Sequence, residues 1–335
     1  METLGDEPAV IAQGRQMKNF VPLAVFLRRN PNLSAIQTAI AETVAGATGL
    51  ASITPKTNRV IRTEPVAMSD GRMHAVHVWC GPPDLEPPER PVPGPAKWDL
   101  TDQVVTDTAE MLINAGMDPA VEPLEGRSFA DDFVVGEFNA DVAEALARTV
   151  DQQPGLTYCT TWQFVDKQGM CRRLGLAGRG LLETMDDGSV HLIGRGVNLL
   201  IDVAPAADTA GNLAKRIIEG LSTPGSYRGL MDMNTATLLK WLDEPCPFYN
   251  WRDPVRVHPE DREHYADLMH RELKHGSTSG VLRLPGDDGG WVPIHMTITR
   301  VELEPGVYSG LFTVRLPTDD ELADVGLDPS GHPTG

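Results

Sequence analysis

One order of elements recurs three times along this chain of 335 residues, and it leaves few folds open. Each time an amphipathic helical stretch ends near a glycine. A strand, a polar turn, a longer strand, an Asp-Gly or Pro-Gly turn and a last strand then follow. The first helix has Leu33, Ile36, Ile40 and Val44 at helical spacing behind Pro31 and stops at Gly46. The second has Val142, Leu146 and Val150 behind an N-cap residue, Asn139, with Gly155 beyond. The third opens at Pro259 with Glu260 and Asp261 in its first turn, carries Tyr265, Leu268, Met269 and Leu273 as its apolar stripe, and stops at Gly276. Alternation predicts strands over 50–54, 59–68 and 73–79, then 157–165, 171–182 and 190–200, then 279–284, 291–303 and 307–316. The second turn of each set falls at Gly71, Gly188 and Gly306, nearly equal steps of 117 and 118 residues. A pair of short strands precedes each helix: 2–4 with 9–13, 98–101 with 109–114, and a pair within 228–241. The first of these is so short that it reads as clipped at Met1.

Composition shifts mark the boundaries. Seven prolines fall between Gly81 and Lys97, a stretch that predicts a stiff extended spacer rather than a helix or a central strand. A second boundary spans 205–225, where a short amphipathic helix over 212–221 is closed by Pro224-Gly225. The acidic, then Gly/Pro-rich end after Pro317 predicts a fraying tail. The organisation expected is therefore a module over 1–81, a linker over 82–97, a module over 98–204, a linker helix over 205–225, a module over 226–317 and a flexible acidic tail over 318–335.

A net charge of −18 disfavours nucleic acid, since phosphate binding needs a basic face. No run of about 18 apolar residues is present to span a membrane. The first residues are acidic and lack a signal-peptide pattern, and the four cysteines (Cys80, Cys159, Cys171, Cys246) include no Cys-x-x-Cys pair. These features point to a cytoplasmic protein with ordinary reduced thiols and without a structural zinc site.

Two motifs in the third segment carry a resemblance. His258-Pro259-Glu260-Asp261-Arg262 opens a helix. Arg283-Leu284 is followed by Asp288-Gly289-Gly290-Trp291-Val292-Pro293-Ile294. Together they resemble the helix start and the hairpin of the PAS family over about residues 226–317. The first two segments share only the element order and are similar to PAS or GAF domains at that level. The chain as a whole is similar to actinobacterial proteins with tandem PAS- or GAF-like regions. The resemblance implies an α+β fold of three tandem PAS/GAF-like modules, each an antiparallel sheet with helices over one face. It also implies a ligand site between sheet and helices, and a homodimer. Function would still have to be argued from the site.

The residues offer little catalytic chemistry. The cysteine motif of a flavin photoreceptor is missing, and Cys246 in Glu244-Pro245-Cys246-Pro247 reads as an ordinary thiol. His264 and His270 lie six residues apart on the third helix, at the edge of its apolar stripe and towards solvent, so haem ligation is not supported. His258 reads as a helix-start residue. His74 and His77 alternate on one strand and face opposite ways, so they cannot share a metal. His295 belongs either to the pocket or to an outer partner surface. Gly175 to Gly180 fails the dinucleotide fingerprint and reads as a site of close backbone approach or a bulge. Trp241, Tyr249 and Trp251 could stack on a planar ligand or simply fill the core. With Tyr265, Met269, His295 and Phe312 they form the expected pocket lining.

No catalytic residue, cofactor or metal is therefore expected. The leading reading is a non-catalytic sensor or adaptor that binds a small apolar or aromatic ligand, or a protein partner. A ligand-free interaction scaffold is the second reading, and an enzyme with a site assembled between modules is the third.

Overall fold

Hairpins dominate the molecule because its tight turns carry residues that tolerate positive φ: Gly71 stands at 80°, Gly188 at 85° and Gly306 at 84°. The computed structural model describes residues 1–54, 56–132, 140–151, 153–166, 168–205, 213–253, 257–269 and 276–333. Asn139, His270 and Leu273, and part of the expected linker helix, lie outside them. The chain divides into two units, Met1–Gly126 with Gln152–Asp208, and Arg127–Asp151 with Thr209–Gly335.

The first unit opens with β1 (Ala9–Gln13) and β2 (Gln16–Pro22), followed by α1 (Leu23–Phe26) and α2 (Leu33–Gly46). A three-stranded antiparallel sheet of β3 (Leu50–Thr54), β4 (Arg59–Ala67) and β5 (Met73–Gly81) follows. The single five-stranded ladder expected here is split in two. Glu2 bridges both Ala9 and Ala75, so the opening strand supplies only one residue of pairing between β1 and β5. Ile36 and Ile40 of α2 pack with Val10, Leu23, Ile61 and Val76 as the apolar period predicts.

The same unit holds β6 (Pro93–Asp99), β7 (Val104–Asp107), α3 (Ala109–Asn114), β8 (Thr157–Val165), β9 (Met170–Thr184) and β10 (Val190–Pro205). The five strands form an antiparallel sheet in the order β7-β6-β10-β9-β8. Two expectations are corrected. Residues 93–97 of the supposed spacer form most of β6, inside the sheet. Only Ala96–Asp99 pairs with β7, so one edge of β6 is open at Pro93 and Pro95 and accommodates a missing N–H. Residues 109–114 are helical rather than extended. Thr108 caps them by accepting from the Met111 N–H at 3.3 Å, and Met111 and Leu112 turn inward. Gly94 lets α3 press onto β6, since an added Cβ would stand 2.5 Å from the Met111 nitrogen.

The second unit contains a 3₁₀ turn at Phe129–Asp131, α4 (Ala140–Val150), α5 (Leu213–Gly220), β11 (Ser226–Asp232) and β12 (Thr237–Trp241). A 3₁₀ turn at Pro259–Asp261 leads into α6 (Arg262–Asp267), then β13 (Ser277–Pro285), β14 (Trp291–Glu304), β15 (Val307–Arg315) and α7 (Asp319–Asp324). Its sheet runs β12-β11-β15-β14-β13, the same strand order as the preceding one. The helix that the sequence order assigns to the second sheet packs on the third. Val142 and Leu146 of α4 join Leu230 and Leu239, with Val301, Leu303 and Leu311 against them. The tail expected to fray is instead built in over its described residues. Thr318 and Glu321 form a reciprocal capping box, Leu322 is 5% exposed, and Arg315 grips Glu321 at 2.6 and 2.8 Å. Among the described residues no helix is long and apolar enough to cross a membrane.

Candidate functional site

The site is built on β12, whose five residues are all buried. Pairing with β11 slips between Leu230 and Met231, so that Leu239 is the extra residue of a bulge. The bulge changes the phase of the strand. Leu238 and Trp241 therefore enter one core while Leu239 enters the core beneath α4. From Trp241 the chain runs through irregular backbone that folds Cys246, Phe248, Tyr249 and Trp251 back over the same face.

Trp241 is the centre of this cluster. Its ring meets Trp251 edge-on at 6.1 Å between centroids, with planes at 81°, and Phe312 of β15 at 5.5 Å and 73°. Tyr227 and Phe248 make a further edge contact at 5.3 Å. Leu268 and Met269, just beyond α6, close the cluster together with Tyr265. The Trp241 side chain is 1% exposed, and its indole Nε1 has no hydrogen-bond partner among the described residues. The Arg252 guanidinium lies 3.8 Å from the Trp251 ring centroid and is held by Asp131 at 2.5 and 3.1 Å.

Six of the seven residues expected to line a pocket, Trp241, Tyr249, Trp251, Tyr265, Met269 and Phe312, meet here. His295 does not. Ile294, Met296 and Ile298 of β14 point into the cluster, and His295 alternates with them on the other face. There its Nε2 stands 3.5 Å from Glu321 of α7. Burial and the nearby Arg315 charge lower its pKa. Cys246 is 2% exposed, and burial pushes its thiol up to about 11, so it stays protonated and inert.

The start of α6 is pinned to β13 by charge. Arg283 reaches Asp261 through Nη2 at 2.6 Å and through its backbone N–H at 2.7 Å, and reaches Glu260 at 2.9 Å. Burial alone would raise the Asp261 pKa, but the Arg283 bonds outweigh it and hold the carboxyl below the usual range. His258 accepts from the Glu260 N–H at 3.2 Å and caps the 3₁₀ turn, as a helix-start residue should.

A second buried group went unseen in the sequence. Arg195 of β10 is 3% exposed and binds Glu183 at 2.7 and 2.8 Å and Asp70 at 2.6 Å. Its Nη1 also donates to His74 Nε2 at 3.1 Å, which leaves His74 Nδ1 to donate to the Gly196 carbonyl at 3.0 Å. Burial, reinforced by the Arg195 charge, lowers the His74 pKa to about 4. The one legible hint was an arginine set between Gly194 and Gly196 inside a strand. Every member has partners, so the cluster reads as a joint rather than a reactive site.

Mostly antiparallel sheets with a few helices, arranged in tandem along an α+β chain, define the class. Three family models match the chain in succession: the Rv3651-like N-terminal domain over residues 1–89, the middle domain over 92–201 and the C-terminal domain over 211–325. The crystal structure of an uncharacterised protein from Mycobacterium tuberculosis is similar at 50% identity and a TM-score of 0.86, covering 98% of each chain. The chain belongs to the Rv3651-like family. Two further structures match at scores too low to support an argument. A sensory box histidine kinase/response regulator from Burkholderia thailandensis shares 15% identity at a TM-score of 0.23, covering 32% of this chain and 76% of that one. An RNA-binding light-oxygen-voltage receptor shares 9% at 0.25, covering 70% of this chain and 99% of that one. No curated protein matches. The PAS resemblance is corrected by these findings, because the motifs that suggested it fall in the Rv3651-like C-terminal domain. Asp261 and Arg283 pair to anchor a helix start, and Asp288 accepts from the Gly290 N–H at 2.9 Å within a turn. Such local devices arise wherever this helix–hairpin geometry is needed.

Proposed function

We propose that this chain is a non-catalytic regulatory protein that takes up a small, largely apolar ligand at the aromatic cluster of its second unit. Trp241 Nε1 would donate to an acceptor atom on that ligand. The supporting observation is this indole N–H, 1% exposed and without a partner among the described residues. A buried donor left unsatisfied costs about 1–3 kcal/mol, which an acceptor in the cluster removes. Edge-on rings and the polarizable Met269 suit a flat aromatic body, and the indole sets the place of one carbonyl or ring nitrogen. The signal would leave through β11, the neighbour of β12. Its Arg228 donates to the Ile218 carbonyl of α5 at 2.6 Å. The ligand regulates only if it binds two arrangements of this path unequally.

Native mass and absorbance of freshly purified protein, followed by thermal shift against a metabolite library, test the reading. A bound mass or a concentration-dependent rise in melting temperature supports it. Trp241→Phe should keep the ring packing and weaken binding about tenfold, the equivalent of one lost hydrogen bond. If no compound binds, or Trp241→Phe binds as tightly as the parent, the reading fails. A protein partner is then the better reading. It is favoured by Leu182 and Val190, 60% and 59% exposed near the end of the β9–β10 hairpin.

A further inference from the structure

In the first unit the turn after β6 faces the start of β10. Asp99 Oδ1 accepts from the Thr101 N–H at 3.0 Å and the Asp102 N–H at 2.9 Å, which fixes the carboxylate and leaves Oδ2 facing His191. Thr101 Oγ1 accepts from the Leu192 N–H at 3.0 Å, clamping the turn to β10. His191 Nδ1 then stands 2.8 Å from Asp99 Oδ2 and 3.8 Å from Asp102 Oδ2, with all three ligand atoms within 4.8 Å of one another.

The far side of the imidazole decides what this trio can hold. His191 Nε2 lies 3.0 Å from Ser189 Oγ, and the Ser189 hydroxyl donates to Asp187 at 2.6 Å. With its proton committed to Asp187, Ser189 can only accept from the imidazole, so Nε2 carries the hydrogen. The order Asp99, His191, Ser189 is that of an activated nucleophile, but the polarity is the reverse, because the imidazole donates to the serine instead of taking its proton. Nδ1 thus points at two carboxylates, at 2.8 Å and 3.8 Å, and whatever sits between them, a proton or a metal ion, is positively charged.

We infer that a divalent cation of the zinc type binds between Asp99 Oδ2, Asp102 Oδ2 and His191 Nδ1. Bonds of roughly 2.0–2.2 Å place neighbouring ligand atoms roughly 3–3.6 Å apart, a range that the 2.8 Å and 3.8 Å separations from His191 Nδ1 bracket. Ser189 and Asp187 supply the outer hydrogen bonds that orient a metal-bound imidazole. One imidazole with two carboxylates favours zinc and its transition-metal neighbours over magnesium. Asp102 is 63% exposed, which leaves the remaining coordination positions open to water or to a second ligand. The spacing of Asp99 and His191 along the chain hides the site from motif reading.

Isothermal titration calorimetry of the whole chain with zinc chloride, and separately with magnesium chloride, tests this. One equivalent of zinc should bind, with magnesium at least about a hundredfold weaker. Asp102→Asn and His191→Gln should each weaken zinc binding at least about tenfold, while circular dichroism shows the fold intact. Asp102→Asn keeps the test interpretable, because an exposed side chain is altered without loss of packing. Any of three results overturns the assignment: no zinc uptake by the parent, magnesium bound as tightly as zinc, or either variant binding zinc like the parent. The last would place the metal elsewhere among the nine histidines, and an empty trio would mean that only a proton occupies it.

Discussion

Around the second sheet a small apolar cluster, Val197 and Ala177 with Ile11, Val66 and Ala75, sits beside buried polar groups. Arg195 holds Glu183, Asp70 and His74, while Asn114 donates to Asn198 at 2.8 Å and Asn198 donates to the Met111 carbonyl at 3.1 Å. Around the third sheet the two core clusters are apolar, Trp241, Phe312 and Ile294 in one and Leu146 and Leu239 in the other, while Arg283 of its edge strand pairs with Asp261. Yet both sheets have the same strand order. Strand order thus follows from hairpin spacing, whereas what covers a face follows from its side chains. A polar face needs partners at fixed distances and angles; an apolar face accepts any element with a complementary stripe, including one from an earlier part of the chain.

That contrast can be broken most severely at α4. Leu146 is fully buried against the third sheet. Leu146→Asp should cost more than about 4 kcal/mol by placing an unpaired carboxylate there. Hydrogen exchange should quicken across β11, β14 and β15 while β9 and β10 stay slow. Equal quickening in both sheets would refute the assignment of α4 to the third.

The mirror experiment removes the charge at the centre of the polar joint. Arg195→Ala should cost about 3–5 kcal/mol, because Glu183 and Asp70 lose a buried counter-charge. Here β9 and β10 should lose protection and β14 and β15 keep it. Arg195→Met, which fills the space without the charge, should do no better, since the carboxylates remain.

Acid should separate the two units in the same sense, by a smaller amount. His74 has its folded pKa lowered to about 4 by burial and by Arg195, below its ordinary 6.5. The unfolded chain takes up that proton first as pH falls, so the stability His74 contributes is complete above about pH 6.5 and is lost on the way to about pH 4. Burial lowers His77 in the same direction, whereas the hydrogen bond to Asp99 raises His191 and opposes them. In the second unit His295 shifts downward, and the Glu321 carboxyl is lowered to about 2, chiefly by Arg315, so that part of its stability persists into stronger acid. Exchange measured from pH 7 to pH 4.5 should show β9 and β10 loosening before β14 and β15, and the opposite order would remove His74 from the explanation.

The smallest change sharpens the apolar side. In the absence of ligand Trp241→Phe should shift stability by less than about 1 kcal/mol, because relief of the unsatisfied N–H offsets the lost ring volume. A loss of several kcal/mol on denaturant titration would show that the indole nitrogen is satisfied in solution.

Much of this was legible in advance. Strands β3 and β8 fall where alternation places them, and Trp241, Trp251 and Phe312 meet as their apolar character requires. The PAS resemblance misleads, because Asp261, Arg283 and Asp288 serve local geometry that a short motif cannot distinguish from ancestry. The bulge at Leu239, the helical state of 109–114 and the place of Pro93 and Pro95 in β6 were hidden for a related reason. Each depends on a neighbour distant in sequence: Leu239 on Leu146 of α4, Met111 on Asn198 of β10, and Pro93 and Pro95 on Leu199 and Val197 of β10.

Hairpins, turns and apolar faces are written in the order of residues, because periodicity and positive-φ glycines act within a few positions. The packing of α4 on the third sheet, the meeting of Arg195 with Asp70 and His74, and that of Asp99 and Asp102 with His191 arise only when the chain is folded. Those pairings join residues that are far apart in the chain. They are selected by burial and by the need of each charge for a partner, and no local pattern records them.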